Sequence, residues 1–169
     1  MMLKKIKAII TGAVIVASLA VAATAQQDFT FLTPDGQSVS MSSLRGKVAV
    51  VLFGGIQDPQ CRDEIKALQS LADRYQGKDV KIYWISVNTP GEASNDQLKT
   101  ACGPTGSIVI LRDNNRAAFK RFSGKVQQLP TVVVLNQQGE PQGAPRGGFN
   151  PNSDFVNDMA TIIDSLLKK

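Results

Sequence analysis

Two cysteines, Cys61 and Cys102, are the only thiols in this 169-residue chain, and they are its best candidates for chemistry. Thiolates act as nucleophiles and redox centres. The chain contains no histidine. This excludes Ser-His and Cys-His nucleophile pairs and His-ligated zinc or copper. Because two cysteines cannot build a four-sulfur site, we expect no metal and no cofactor, and the chemistry left is that of thiols and disulfides.

The residues around Cys61 predict a strand, a tight loop and a helix. Val48 to Phe53 is a continuous apolar run, typical of a strand that is buried on both faces. Asp58 is a favourable N-cap, and Pro59 suits the first position of a helix. Apolar residues then recur at helical spacing until Gly77, a natural C-cap. We therefore expect Cys61 in the first helical turn, where unpaired amides favour a thiolate.

The charges beside Cys61 act on its pKa in opposite directions. Arg62 and the helix dipole favour the thiolate, whereas the carboxylate of Asp58 opposes it. Glu64 is a first-turn acid that complements the helix dipole. The alternative for Cys61 is an inert, buried cysteine that serves as a small apolar residue.

Residues 1–25 are predicted to be a secretory signal peptide. Three lysines lie in the first seven residues, an apolar run extends from Ala8 to Ala22, and Ala23 to Ala25 offers a small-residue cleavage site. Residues 26–169 then form one exported domain, located in the periplasm or outside the cell. An uncleaved membrane anchor is the alternative, although the apolar run is short for the roughly 20 residues that cross a bilayer.

The charge of the mature chain does not indicate a nucleic-acid partner. The formal net charge of +5 falls to +2 when the three lysines of the signal leave. The remaining basic residues are interleaved with acids and have few aromatic neighbours. We expect no membrane span after cleavage of the signal, and the sequence says nothing about oligomeric state.

The remaining segments predict alternating strands and helices. Phe29 to Met41 reads as a hairpin around a Pro-Asp-Gly turn. A strand from Val80 to Val87 must run parallel to the first strand because a helix joins them. A helix from about Glu92 to Ala101 places Cys102 at its end. Further elements are expected as a strand at 107–111, a helix at 115–122, a strand at 129–135, a loose edge strand at 143–149 and an amphipathic helix at 152–167.

The segment around Cys61 resembles the active site of the thioredoxin fold, in particular the exported redoxins of the TlpA type. Their pattern is Phe-Trp-Ala-x-Trp-Cys-x-x-Cys, with a Glu three residues after the second Cys. Phe53, Cys61 and Glu64 match the Phe, the second Cys and the Glu. The resemblance implies that Glu64 assists proton transfer. Asp58 replaces the first Cys, so a CxxC dithiol cannot form here. The residues at the two Trp positions are Gly54 and Gln57.

This resemblance implies an α/β, thioredoxin-like fold with a central mixed sheet, flanking helices and an N-terminal β-hairpin extension. It also implies that Pro130 is the cis-proline of the fold and faces the active-site loop. The backbone beside it, at Leu129, would then pair with a bound polypeptide, with Asp58 at the same surface. Two functions follow: thiol-based redox chemistry through Cys61, or a degenerate module that binds a polypeptide without turnover.

Cys102 leaves a third function open. Its surroundings resemble the resolving-Cys helix of atypical two-Cys peroxiredoxins, which implies peroxide reduction with Cys61 peroxidatic and Cys102 resolving. Against a disulfide, about ten helical residues at ~1.5 Å each would place Cys102 roughly 15 Å from the active-site end. A disulfide tolerates only about 7 Å between Cα atoms. In its favour, an exported protein with an even number of cysteines favours pairing.

Overall fold

The computed structural model describes residues 28–100, 102–148, 150 and 154–168. The predicted signal peptide at 1–25 lies outside them, as do the predicted ends of two elements at Ala101 and Phe149. The strands are β1 (Thr30–Leu32), β2 (Ser38–Ser40), β3 (Val48–Gly54), β4 (Val80–Ser86), β5 (Val109–Arg112), β6 (Thr131–Leu135) and β7 (Arg146–Gly147). The α-helices are α1 (Cys61–Arg74), α2 (Asn95–Thr100), α3 (Ala117–Ser123) and α4 (Phe155–Leu167), and a short 3-10 helix spans Met41–Leu44.

The strands form one mixed sheet in the order β2-β1-β5-β4-β3-β6-β7. β3, β4 and β5 are parallel neighbours, whereas β6 is antiparallel to β3 and β7 is antiparallel to β6. The predicted N-terminal hairpin is confirmed as β1 and β2, and it joins β5 through the pair Leu32 and Arg112. The sequence-predicted mixed sheet with a hairpin extension is therefore confirmed.

β3 is buried along its whole length because helices cover both faces of the sheet. Its side chains alternate between two apolar clusters. Val50 and Leu52 pack with residues of α1 and α4. Val51 and Phe53 pack with residues of α3 and of the N-terminal hairpin. This two-sided burial explains the continuous apolar run in the sequence.

Several predicted elements have different bounds in the structure, among them α1, α2 and the edge strand β7. α1 begins at Cys61 rather than at Pro59, and it ends at Arg74, shortly before the left-handed Gly77. α2 contains only six residues, because the segment from Thr89 to Ala93 folds into a turn closed by its own backbone. The edge strand β7 contains two residues.

α4 carries the predicted apolar face. Met159, Ile163 and Leu166 are buried, and Phe155 and Ile162 pack partly buried against the same cluster. The predicted first turn, from Asn152, lies outside the described residues. None of the helices in the described ranges is long and apolar enough to cross a membrane.

Candidate functional site

The two cysteines are joined by a disulfide bond, and their Cα atoms lie 5.4 Å apart. The sequence-based distance between Cys61 and Cys102 was therefore wrong. Its premise was a helix of ten residues leading away from the site, whereas α2 has only six. Cys102 thus lies against α1, in the same apolar cluster as Cys61. Both residues are buried, with exposed fractions of 4% and 5%.

Cys61 occupies the first position of α1, but Asp58 is not the N-cap of this helix. Gln60 is at the N-cap position, and its side chain makes no capping hydrogen bond. Asp58 instead closes the turn before the helix: its Oδ1 accepts the amide of Gln60 at 2.9 Å. Its carbonyl accepts the amide of Cys61 at 3.1 Å. The predicted cap was displaced because Pro59 and Gln60 form this turn and delay the helix by two residues.

Glu64 is a fully buried carboxylic acid one helical turn after Cys61. The indole Nε1 of Trp84 donates to its Oε2 at 3.2 Å. Its Oε1 has no hydrogen-bond partner among the described residues. Burial raises the pKa of Glu64 to about 7, and the nearby charge of Asp58 acts in the same direction, while the bond from Trp84 opposes it. Glu64 can therefore take up or release a proton near neutral pH.

The structure explains why a glycine stands where the related motif has tryptophan. A Cβ on Gly54 would lie 3.0 Å from Nε1 of Trp84 and 3.1 Å from Oε2 of Glu64. The side chain of Trp84 comes from the neighbouring strand β4, where it faces the same cluster as Leu52. The indole of Trp84 thus fills the space beside Gly54, and it supplies the N–H that Glu64 needs.

Substitution of Gly54 by valine is expected to lower the free energy of unfolding by about 2 kcal/mol, because overpacking a closed site costs about 1–3 kcal/mol. Valine favours strands, so intrinsic propensity predicts the opposite sign. Chemical denaturation measures the difference. Gly91→Val is the matched control, since a Cβ there has no atom within 4 Å. Equal stabilities of the two variants would contradict the packing argument.

A polar bridge joins the loop before Cys61 to the loop before α2. Oδ1 of Asn88 accepts the amide of Ile56 at 2.9 Å, and its Nδ2 donates to Oε1 of Gln57 at 2.6 Å. Nε2 of Gln57 donates to the carbonyl of Glu92 at 3.2 Å. Sequence reasoning missed Asn88 and Trp84. The available signals were an amide directly after a buried strand and an indole N–H that needs a buried acceptor.

Pro130 lies at the same end of the sheet as Cys61. The Leu129–Pro130 peptide bond is cis, as the resemblance implied. Thr131, the next residue, is the sheet neighbour of Phe53, from which the loop to Cys61 departs. Pro130 is buried and Leu129 is half-buried. Contact of these residues with a polypeptide stays a prediction.

In the described part of the chain, no group of three or more potential ligand side chains is arranged to hold a metal ion. The site itself brings together three features. These are a helix-terminal cysteine in a disulfide, a buried acid with a pKa near neutrality, and a cis-proline at the same sheet end.

A model described as the AhpC/TSA family matches residues 22–141. The thiol-disulfide oxidoreductase ResA of Halalkalibacterium halodurans is 27% identical over 146 residues, which cover 86% of this chain and 79% of that protein.

Two solved structures show the same fold. The exposed lipoprotein thioredoxin of Streptococcus pneumoniae superposes with a TM-score of 0.68 at 16% identity, over 83% of this chain and 100% of that chain. A thioredoxin-like protein from Aeropyrum pernix superposes with a TM-score of 0.64 at 16% identity, over 82% of this chain and 89% of that chain. The predicted thioredoxin-like fold is therefore confirmed.

Proposed function

Because the chain belongs to the AhpC/TSA family, we propose that it is an exported redoxin that exchanges electrons with a polypeptide partner through Cys61 and Cys102. The observation that carries this proposal is the disulfide itself. It pairs the cysteine retained from the active-site motif, at the start of α1, with a cysteine from a different segment. A dithiol is thereby available although Asp58 has replaced the first Cys of the motif.

The redox step needs only these two thiols and a disulfide on the partner. In the reduced protein, the Cys61 thiolate attacks one sulfur of the partner disulfide. The partner's S–S bond breaks, its other sulfur leaves as a thiolate, and a mixed disulfide forms on Cys61. The Cys102 thiolate then attacks Cys61, expels the second partner thiolate and forms the Cys61–Cys102 bond. Two electrons pass to the partner, and the two thiol protons end on its sulfurs.

Glu64 is proposed to move the protons of this reaction. It lies in the first turn of α1 with Cys61, and it is buried where water does not compete for the proton. Its pKa of about 7 allows both protonation states at neutral pH. The role is therefore to accept the proton from a thiol that becomes nucleophilic and to return it to a thiolate that leaves.

The partner surface is proposed to include Leu129, Pro130 and Asp58. Leu129 and Asp58 are partly exposed. Asp58 lies in the loop that leads to Cys61, and Leu129 and Pro130 lie on the segment next to that loop. Export is supported by the basic and apolar pattern of residues 1–25. The similarity to an exposed lipoprotein thioredoxin agrees with a location in the periplasm or outside the cell.

A second candidate function is a binding module without turnover, in which the disulfide only stabilises the fold. The observation that favours it is the burial of both cysteines, because a partner thiol reaches neither sulfur without movement of the chain. The residues that replace the related motif, Asp58, Gly54 and Gln57, point in the same direction.

Peroxide reduction is a third candidate. The Cys61–Cys102 bond is what would remain after Cys102 resolves a sulfenic acid on Cys61. The carboxylate of Asp58 opposes this function, since a negative charge in the turn before Cys61 disfavours the thiolate that attacks peroxide.

One experiment separates these three functions. The reduced Cys102→Ser variant is expected to form a stable mixed disulfide on Cys61 with a disulfide-bonded model peptide, whereas reduced wild-type protein should release the peptide as a dithiol. Mass spectrometry identifies both products. Cys61→Ser is the matched control and should react far more slowly, since Cys102 lacks the helix N-terminus.

Each function predicts a different result in this assay. Absence of a peptide adduct on Cys102→Ser, together with undiminished binding of the peptide, would replace the redox proposal by the binding module. Rapid sulfenic acid formation on the same variant at low peroxide, without reaction with the peptide, would favour peroxide reduction.

A further inference from the structure

Arg112, at the end of β5, is a buried cation that the redox chemistry does not use. Its exposed fraction is 3%. Nη1 donates to the carbonyl of Asn88 at 2.9 Å, and Nη2 donates to the carbonyl of Ala93 at 2.8 Å. Nη2 also donates to Oδ1 of Asn95 at 3.1 Å. All of these acceptors lie in the segment 88–95, which connects β4 to α2.

These acceptors carry no charge. Within the described residues, the salt bridges between side chains do not include Arg112. Burial of a charged group is costly unless hydrogen bonds replace the lost water. A guanidinium holds its donors in a fixed fork and can satisfy several acceptors at once. The buried guanidinium therefore needs these acceptors, and its hydrogen bonds join β5 to the segment 88–95 at three points.

The segment 88–95 supports both cysteines. Its C-terminal end enters α2, and Cys102 follows two residues after this helix ends. Its first residue, Asn88, bonds to Ile56 and Gln57 in the loop before Cys61. The position of Cys102 relative to Cys61 thus depends on how firmly Arg112 holds this segment.

We propose that Arg112 is a positioning residue that keeps Cys102 within reach of Cys61 while the disulfide is open. This inference rests on the proposed function only in requiring that the bond opens and closes. Closure of a bond between two thiols is favoured when the chain holds them close together beforehand. The segment also forms a salt bridge, between Glu92 and Arg116 at 3.2 Å. Both side chains are exposed, and exposed salt bridges contribute little to stability.

The test is the equilibrium of the Cys61–Cys102 bond with mixtures of reduced and oxidised dithiothreitol. Arg112→Lys keeps the positive charge but loses the fork. The equilibrium constant for bond formation should therefore fall about tenfold, as expected for the loss of one hydrogen bond to a charged group. Arg146→Lys is the matched control, because Arg146 is exposed and its salt bridge within the described ranges is an exposed pair with Asp158 at 3.5 Å. Its equilibrium constant should remain within about twofold of the wild-type value.

A purely structural role for Arg112 gives a different result. If the substitution destabilises the oxidised and reduced forms equally, the melting temperature falls and the equilibrium constant does not move. That outcome would overturn the inference. Asn95→Ala covers the case in which Arg112→Lys does not fold, since it removes one acceptor from an exposed position. It should lower the equilibrium constant about threefold, which is near the low end of the range for the loss of one hydrogen bond, because this bond is only partly buried.

The dithiothreitol equilibrium involves no polypeptide partner. Failure of the proposed function, seen as absence of reaction with the disulfide-bonded peptide, therefore leaves this measurement and its outcome intact. Conversely, an unchanged equilibrium constant in Arg112→Lys and Asn95→Ala would overturn the role of Arg112 while the redox function stands.

Discussion

Reduction of the Cys61–Cys102 bond is expected to lower the free energy of unfolding by about 4 kcal/mol. The two cysteines are 41 residues apart in the sequence. A cross-link over a loop of this length restricts the unfolded chain, and the chain-entropy relation gives roughly 4 kcal/mol at 25 °C. Denaturant titration of the same protein with and without reductant measures this difference directly.

The double variant Cys61→Ser, Cys102→Ser is the control for the reductant. Its stability should resemble that of reduced wild-type protein, and the addition of reductant should leave it unchanged. Coincident titrations of oxidised and reduced wild-type protein would contradict the prediction. They would mean that residual structure already restricts the unfolded chain as much as the bond does.

This stability difference bears on the direction of electron flow. If the disulfide stabilises the folded chain, the folded chain stabilises the disulfide by the same free energy. A bond that the fold favours has a low reduction potential, so the reduced protein gives electrons readily. We therefore expect the chain to reduce disulfides of its partner rather than to introduce them.

The sequence predicted the segment around Cys61 well because its signals are local. The apolar run, the glycines and the helical spacing after Pro59 all lie within thirty residues. The family resemblance added Glu64 and the cis peptide at Pro130, and the structure has the cis bond. The start of α1 was predicted two residues early, which is within the usual error for helix ends.

The disulfide could not be derived from the sequence, because it depends on contacts between distant residues. Local pattern favoured a helix from Glu92 onward. In the structure, Glu92 instead accepts the amide of Thr89 and pairs with Arg116, and Arg112 binds the carbonyl of Ala93. These two arginines come from the end of β5 and from the start of α3. Only the register of the sheet brings them to this loop, and the shorter α2 then places Cys102 on α1.

The variant Glu64→Gln is expected to remove a strong pH dependence of stability. The pKa of Glu64 is about 7 in the folded protein, against 4.5 for an unperturbed glutamate, chiefly because of burial. Between these values the unfolded chain has released this proton and the folded chain still holds it. Stability therefore falls as pH rises from about 4.5 to 7 and then levels off. Such a shift corresponds to about 3 kcal/mol.

The measurement is the free energy of unfolding of wild type and Glu64→Gln at several values of pH from 4 to 8. Glutamine cannot ionise. The free energy of unfolding of the variant should therefore rise by about 3 kcal/mol relative to that of wild type across this pH range. The informative quantity is how the stability difference between the two proteins changes with pH. Its absolute value is not informative, because the buried amide of the glutamine needs hydrogen-bond partners of its own. Parallel profiles for the two proteins would contradict a perturbed Glu64.

Glu92→Gln is the matched control, because Glu92 is exposed and its pKa shifts in the opposite direction. The backbone amide of Thr89, with help from Arg116, lowers the pKa of Glu92. Its ionised form therefore stabilises the folded chain above the unfolded pKa, and this contribution is lost as pH falls through the folded pKa. Because the folded and unfolded pKa values of Glu92 both lie at or below 4.5, this loss is confined to pH values below about 5. From about pH 5 to 8 the control should therefore keep a constant difference in stability from wild type, whereas Glu64→Gln gains stability relative to wild type. A control that stays level from about pH 5 to 8, together with a rising stability of Glu64→Gln relative to wild type, would assign the neutral-pH proton of this site to Glu64, the residue next to the redox bond.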